Sequence, residues 1–271
     1  GVASWGLSVA SLMRIDRARA RGVQVWADQY PYEASGTSIT GALVPRWAQV
    51  GGDTALRKRA LGAERGRLRD EVRQNIARRG GAGSLQIARF VADPSIEGKT
   101  LADLAQATGE SPEEVALDLL ARGGAGLVSF NMSERDIEQI MQQPFTMTST
   151  DGDLVPMGEG KPHPRAYGAF PRKLRVYVRE RAVIDWPFAI RSMTHLPAMV
   201  FGLKDRGQLR VGAWADILVF DPDKVTDKAT YADPHHLSEG IDTIVVNGVL
   251  VREEGKFTGE LPGKVLSPER R

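Results

Sequence analysis

The sequence predicts an α/β protein, with part of a parallel (β/α) barrel carrying an insertion and then a small β domain. Three observations predict it. First, a helical stretch from Ser8 to Arg21, closed by Gly22, runs directly into the β-rich segment Val23-Gln24-Val25-Trp26-Ala27-Asp28. A helix followed by a strand within such a short span is the repeating unit of a parallel barrel. Second, Phe145 to Thr150 is a Thr-rich strand that ends in Asp151-Gly152, which delivers a carboxylate at the strand's carboxyl end, where barrel enzymes build their sites. Third, from about residue 205 the chain changes to short strands and Gly turns, including an Asn247-Gly248 hairpin signal.

Taken in order, Val9, Leu12, Met13 and Ile15 form the apolar side of the first helix, and Arg14, Arg17, Arg19 and Arg21 lie mostly opposite. Tyr30, Tyr32, Ser35 and Thr37 follow the first strand and fall at its carboxyl end. Residues 51 to 82 read as an Arg-rich helical stretch with Asp53 as N-cap and Gly80-Gly81 as the stop. Glu64, Asp70 and Glu71 are interspersed with its Arg residues, the pattern of a solvated face and not of a nucleic-acid arm. Ser84 to Phe90 and Gly126 to Asn131 read as strands. Between them, Leu101 to Thr108 and a second helix opening at Ser111-Pro112-Glu113-Glu114 are expected, the latter with Pro at its first position and a capping-box Glu. A further helix from Ser133 ends near Pro144. The span from about 45 to 144 is too long for one crossover and is expected to be an insertion that helps wall a pocket.

Beyond Pro164, residues 170 to 181 and 186 to 196 have helical periodicity, with Arg172, Lys173, Arg175, Arg179 and Arg181 expected to face solvent. Gly207 to Gly212 then starts a run of short strands and Gly turns, with strands expected at Asp216 to Phe220, Thr243 to Asn247 and Val249 to Arg252. The resulting division is a barrel part over 1–204 and a small β domain over 205–271.

Composition narrows the function classes. The 271 residues are 42% hydrophobic with a net charge of +2, enough for a sizeable core and too balanced to imply nucleic-acid or anionic-membrane partners. No run of about 18 apolar residues exists, so no membrane span is expected. Residues 1 to 5 lack the basic and apolar blocks of a signal peptide, and a cytoplasmic location is expected. The chain has no Cys, which removes disulfides as a source of stability.

The chemistry concentrates around Asp151. The loop over 152–164, which holds three Gly and three Pro, leads from it through His163-Pro164 to Arg165. Such a loop brings an imidazole and a guanidinium back toward the carboxylate, setting a base beside a cation suited to bind a carboxylate.

Five stretches carry a resemblance: Asp28-Gln29-Tyr30-Pro31-Tyr32-Glu33-Ala34-Ser35-Gly36-Thr37; Ser149-Thr150-Asp151-Gly152; His163-Pro164-Arg165-Ala166-Tyr167-Gly168; Met193-Thr194-His195-Leu196-Pro197-Ala198; and Gly212-Ala213-Trp214-Ala215-Asp216-Ile217-Leu218-Val219-Phe220-Asp221-Pro222. Together they resemble the carboxyl-terminal half of the D-aminoacylase, or N-acyl-D-amino-acid deacylase, family of metal-dependent amidohydrolases. The resemblance implies an amidohydrolase (β/α)8 barrel in which Val23 to Gln29 is the seventh strand and Phe145 to Thr150 the eighth. It implies hydrolysis of an N-acyl-D-amino acid to a carboxylate and a free D-amino acid. Asp151 matches the catalytic base that takes the proton of the attacking water, and Arg165 matches the clamp on the substrate α-carboxylate. Tyr30 matches a substrate-binding Tyr. A neighbouring Ser hydroxyl falls to Ser35 or Thr37, since some relatives carry their Ser at the place of Gly36. His163 is expected among the substrate-binding residues, orienting Arg165 or polarising the scissile carbonyl.

The family holds zinc through a His-x-His pair, a Cys and two further His that precede the matched region. This chain has only His163, His195, His235 and His236, none at a ligand position, so the zinc ligands are expected outside this chain. The expected partners are the N-acyl-D-amino acid substrate and the missing amino-terminal half, or a second chain, that completes the barrel. The isolated chain is expected to be inactive. His195 is read as structural, and the adjacent side chains of His235 and His236 point apart and make a poor metal pair. Arg46 is a candidate to meet an acidic substrate side chain. The alternatives are a dihydroorotase- or hydantoinase-like cyclic-amide hydrolase and a non-catalytic assembly domain.

Overall fold

The computed structural model describes residues 1–267. Helix α1 (Ser8–Ala20) leads into strand β1 (Ala27–Gln29). Strand β2 (Ala34–Ser38) precedes the short helices α2 (Ile39–Leu43) and α3 (Arg46–Gln49), and α4 (Gly52–Leu61) and α5 (Arg65–Arg78) follow. Next come β3 (Leu85–Arg89), α6 (Leu101–Thr108), α7 (Pro112–Ala121), β4 (Gly126–Phe130), α8 (Glu134–Met141) and β5 (Thr146–Thr148). Helices α9 (Arg165–Arg172), α10 (Trp186–Met193) and α11 (His195–Val200) precede β6 (Ile217–Phe220), β7 (Ile241–Val246), β8 (Val249–Glu253) and β9 (Lys256–Phe257).

β1 and β5 pair in parallel, with Asp28 opposite Met147 and Gln29 opposite Thr148. This adjacency is the one expected of consecutive barrel strands, although each is shorter than its β-rich sequence. The ladder extends by single bonds from Ala27 N to Phe145 O and from Ser149 N to Gln29 O. Alternation along the strands sends Gln29 and Thr148 outward, where Gln29 Nε2 donates to Ile137 O of α8 and Thr148 Oγ1 reaches Ser192 of α10.

The segment between β1 and β5 folds on a three-stranded antiparallel sheet of order β2-β4-β3, with Gly36 opposite Val128 and Leu127 opposite Ile87. Its first strand is the stretch holding Ser35 and Thr37. One face is packed by a core that includes the fully buried Leu43, Leu68, Val72, Leu85, Ile87 and Leu117. The expected single Arg-rich helix is two, because the chain turns at Gly62, where a Cβ would lie 2.8 Å from Lys58 O. Its N-cap is Gly51, and Asp53 sits in the first turn. Several of its Arg residues are not merely solvated: Arg65 pairs with Glu114 at 2.5 Å and Arg73 with Glu113 at 2.7 Å, tying α5 to α7. Ser111 caps α7 without a side-chain bond, and the capping box is found instead at Thr100 and Asp103.

After α9 the helix passes into a π-helix over Lys173–Glu180, following Pro171 inside the last turn. A π-helix bonds i to i+5, so a period of 3.6 assigns the wrong face here. Lys173 is buried, donating to Thr148 Oγ1 at 2.7 Å and Ser192 Oγ at 2.8 Å. Arg172 and Arg175 turn inward to Asp227, Arg175 Nε at 2.7 Å. Val225 from the chain after β6 is fully buried in the core these helices share.

The carboxyl-terminal sheet runs β6-β7-β8-β9, all antiparallel. Asn247 (φ 50°) and Gly248 (φ 81°) make the tight turn joining β7 to β8, as a two-residue hairpin with two positive φ angles requires. Residues 207 to 212 form turns and bends ahead of β6. Among the described residues no helix is long and apolar enough to cross a membrane.

Candidate active site

Asp151 lies three residues beyond β5, at φ 47°. Asp tolerates this left-handed conformation better than most residues because its short side chain bonds locally. Gly152 then brings the loop against the start of α9: a Cβ there would sit 2.9 Å from Ala166 Cα and 3.2 Å from Arg165 O. Both contacts are with backbone, so only Gly permits this approach. The result is an ion pair of 2.7 Å between Asp151 Oδ2 and Arg165 Nη2. Its two members differ in burial, with the Asp151 side chain 66% exposed and that of Arg165 only 6%.

Arg165 is held on three sides. Its Cζ lies 4.6 Å from the centroid of the Tyr30 ring, a cation–π contact. Its Nη2 would be 3.2 Å from a Cβ at Gly36, so β2 passes the guanidinium without a side chain between them. Its backbone N–H donates to His163 Nδ1 at 3.0 Å. A second guanidinium nitrogen, Nη1, is buried and has no hydrogen-bond partner. A buried guanidinium donor without an acceptor carries a desolvation cost that an incoming anion would relieve.

His163 is the brace beneath that arginine. Its Nε2 lies 2.9 Å from Ala34 O and must carry the proton, while Nδ1 accepts from Arg165 N. Both nitrogens are thereby committed to backbone in the neutral tautomer. Of the two roles expected for His163, the bond to Arg165 N fits orienting Arg165, and neither ring nitrogen is left free to polarise a substrate carbonyl. Burial pushes its pKa down to about 4, and the nearby Arg165 and Arg172 act in the same direction. The ring is enclosed by edge-on contacts with Tyr32 (5.0 Å between centroids) and Tyr231 (5.2 Å).

Of the predicted residues, Asp151, Tyr30, His163 and Arg165 come together. Gly36 is the residue of β2 nearest the guanidinium, and Thr37 lines the same cavity as Arg165, while neither Ser35 nor Thr37 makes a hydrogen bond to it. Ser35 Oγ is 3.4 Å from Asn131 Oδ1, and Thr37 Oγ1 lies beside Gly41. Arg46 lines a groove against Glu71, Asn75 and Arg78 of α5, apart from this site. Burial raises the pKa of Tyr30, so its hydroxyl stays protonated and able to donate.

Two contributions were not legible in sequence. Arg172 Nε donates to Pro31 O at 2.7 Å and fixes the turn that carries Tyr30. Tyr231 and His235 come from the segment between β6 and β7. His235 Nε2 donates to Gly160 O at 3.0 Å and Nδ1 accepts from Tyr167 Oη at 2.9 Å, pinning the loop between Asp151 and Arg165. His236 turns away to Asp233 at 2.6 Å, so the two imidazoles do not converge. Asp151 and Tyr30 line a cleft of about 650 Å³ bounded by α1 and α8, and Arg165 lines a second cavity of about 240 Å³. Among the described residues no three His, Cys, Asp or Glu side chains are placed to hold a metal ion. Asp151, bonded to the Arg165 guanidinium and not part of any such group, does not by itself fit a metal site.

Residues 12–252 match the model of the Amidohydrolase family (Amidohydro_3). The chain belongs to that family. Within it, the amidohydrolase chain is 37% identical to an N-acyl-D-glutamate deacylase of Alcaligenes xylosoxydans xylosoxydans over 264 residues, 97% of this chain and 46% of the relative. It is 40% identical to a D-aminoacylase of the same organism over 174 residues, 64% of this chain and 35% of the relative. Among solved structures, a D-aminoacylase superposes with a TM-score of 0.75 at 32% identity, covering 96% of this chain and 46% of the other. An N-acyl-D-glutamate deacylase from Bordetella bronchiseptica, complexed with zinc and a phosphonate mimic of the tetrahedral intermediate, superposes with a TM-score of 0.71 at 36% identity, covering 91% and 44%. This amidohydrolase chain therefore spans less than half the length of these relatives.

Proposed function

We propose that this chain supplies the proton-handling and carboxylate-binding part of a deacylase that hydrolyses N-acyl-D-amino acids to a carboxylate and a free D-amino acid. The observation that carries the reading is the Arg165 guanidinium, buried, bonded to Asp151 through Nη2 and left with an unpartnered donor on Nη1. A planar fork of donors suits a substrate carboxylate, and Tyr30 adds a hydroxyl donor beside it. With the α-carboxylate seated there, Asp151 is the group next to the amide. Its carboxylate accepts a proton from the attacking water and returns it to the departing amine. His163 supports this indirectly, by fixing the backbone at Arg165.

A relative's structure carries zinc. The residues of this chain do not fit such a site alone, and the donors are assigned to the part of the relatives' length that this chain does not cover. The names of the relatives, N-acyl-D-glutamate deacylase, D-aminoacylase and N-acyl-D-aspartate deacylase, support the substrate class.

The test is turnover by the full-length protein that contains this chain. Release of D-methionine from N-acetyl-D-methionine, with the L-enantiomer and dihydroorotate or a hydantoin turned over far more slowly, is the expected result. Preferential opening of the ring substrates would replace this reading with a cyclic-amide hydrolase. Absence of hydrolysis of every amide would favour an assembly role.

A further inference from the structure

Asp227 belongs to the segment between β6 and β7, far along the chain from the residues of the site, yet its side chain is only 3% exposed. The segment is fixed on the π-helix after α9: Arg179 Nη1 donates to Pro222 O at 2.9 Å and to Val225 O at 3.0 Å. A carboxylate carried into such an interior has to be paired. Asp227 Oδ1 accepts from Arg175 Nε at 2.7 Å, and Oδ2 lies 3.8 Å from Arg172 Nη1, an ion pair longer than a hydrogen bond. Arg175 has a second acid of its own, since its Nη1 donates to both oxygens of Glu180. Arg172 is instead suspended between two carboxylates, with Asp227 on Nη1 and Glu33 3.7 Å away on Nη2.

Two routes lead from Asp227 to the Arg165 clamp. The first runs through Arg172, whose Nε donates to Pro31 O at 2.7 Å and whose Cζ lies 4.7 Å from the Tyr32 ring centroid. Pro31 joins Tyr30, which faces the Arg165 guanidinium, to Tyr32, which encloses His163. The second runs through packing at Gly168, one turn into α9 from Arg165. A Cβ there would lie 2.8 Å from Asp227 Cβ and 3.0 Å from Tyr32 Oη, so α9 rests on both side chains. Loss of the Asp227 charge would leave the pull of Glu33 on Arg172 unopposed and loosen the bond to Pro31 O. In a buried network that pull is weakly screened. Resting on the deacylase reading above, we propose that Asp227 is a positioning residue: it acts through Arg172 to hold Tyr30 and Arg165 in the spacing that receives the substrate α-carboxylate. The carboxyl-terminal segment thereby sets the geometry of a site to which it contributes no catalytic group.

The test compares kcat and KM of the full-length protein for N-acetyl-D-methionine and its α-carboxamide, in the parent, Asp227→Asn, Arg172→Met and the double variant. Asp227→Asn keeps the packing against Gly168 and an acceptor for Arg175 while removing the charge. It is expected to raise KM for the acid by about 10-fold with kcat within about threefold, and to leave kcat/KM for the carboxamide within about twofold of the parent. Arg172→Met is expected to show the same split, and the double variant to be no worse than Arg172→Met alone, because both act on one contact. Equal losses on acid and carboxamide would make Asp227 a residue of stability only, additive losses would mean that it does not act through Arg172, and no change would detach it from the site; each overturns the proposal. If the parent hydrolyses neither substrate, the deacylase reading fails separately. Amide hydrogen exchange then decides Asp227, read at Tyr32 N and Arg165 N, which donate to Tyr30 O and His163 Nδ1. Faster exchange at these two in Asp227→Asn, with the β3–β4 pairing unchanged, supports the positioning role, and uniform or unchanged exchange overturns it.

Discussion

Asp151 Oδ2 and Arg165 Nη2 are 2.7 Å apart, joining an exposed carboxylate to a buried guanidinium at the end of a parallel strand pair. The pair stands where two cavities adjoin, with the acid lining one and the base lining the other. In the proposed reaction the substrate carboxylate shares or takes the Arg165 donors, and Asp151 is left beside the amide to handle the proton.

Arg165 reads the α-carboxylate in this account, so its effect belongs to substrates that carry one. The full-length parent is expected to favour N-acetyl-D-methionine over its α-carboxamide by about 10²-fold in kcat/KM, and Arg165→Met to lose that preference. Rates on the acid and the amide, measured side by side, check this. A preference that survives Arg165→Met would place the carboxylate elsewhere.

Gly152 is required by close approach to backbone. Gly152→Ala introduces a Cβ 2.9 Å from Ala166 Cα and is expected to push the Asp151 loop off α9. Activity should fall by about 10-fold or more, with a stability loss of about 1–3 kcal/mol. Denaturant midpoints together with kcat resolve the two effects, and a fully active Gly152→Ala would show that the contact is not needed.

His163 ties stability to acid pH. Its folded pKa is about 4 against an ordinary 6.5, so between those values the unfolded chain binds a proton that the folded chain rejects. The sign follows: the contribution is fully present above pH 6.5 and is lost as pH falls toward 4, amounting to about 3 kcal/mol. His163→Gln should flatten this part of the stability curve. Urea midpoints at pH 7 and pH 4.5 measure it.

Lys173 acts in the alkaline range. Burial lowers its pKa from 10.5 to about 8, so between those values the unfolded chain holds a proton that the folded chain has released. Stability from this group therefore rises with pH across that window, by about 3 kcal/mol, while below pH 8 the folded state bears a buried ammonium. The difference in unfolding free energy between parent and Lys173→Met should shift in favour of the parent by that amount from pH 8 to 10.5. A pH-independent difference would contradict it.

Much of this site was readable along the chain because its parts are local. Asp151 follows its strand directly, Gly152 marks the turn, and His163-Pro164-Arg165 opens a helix a short loop away. The resemblance supplied roles that spacing alone left open. What sequence misjudged depended on non-local geometry. Ser35 and Thr37 were placed at a barrel-strand tip, but pairing with β4 makes them part of a different sheet, with Gly36 the β2 residue nearest the Arg165 guanidinium. Lys173 looked solvated because the helix changes to i to i+5 bonding where a 3.6-residue period was assumed. Tyr231 and His235 back the site from far along the chain, and no local pattern points to such a contact.

The most direct test of the central claim is kcat for N-acetyl-D-methionine in the full-length protein with Asp151→Asn, a substitution that keeps the shape and tolerates the same φ of 47°. A fall of about 10²-fold or more in kcat, with the fold intact by circular dichroism, is predicted. An unchanged kcat would contradict the assignment of Asp151 as the proton carrier and, with it, the catalytic role proposed for this chain.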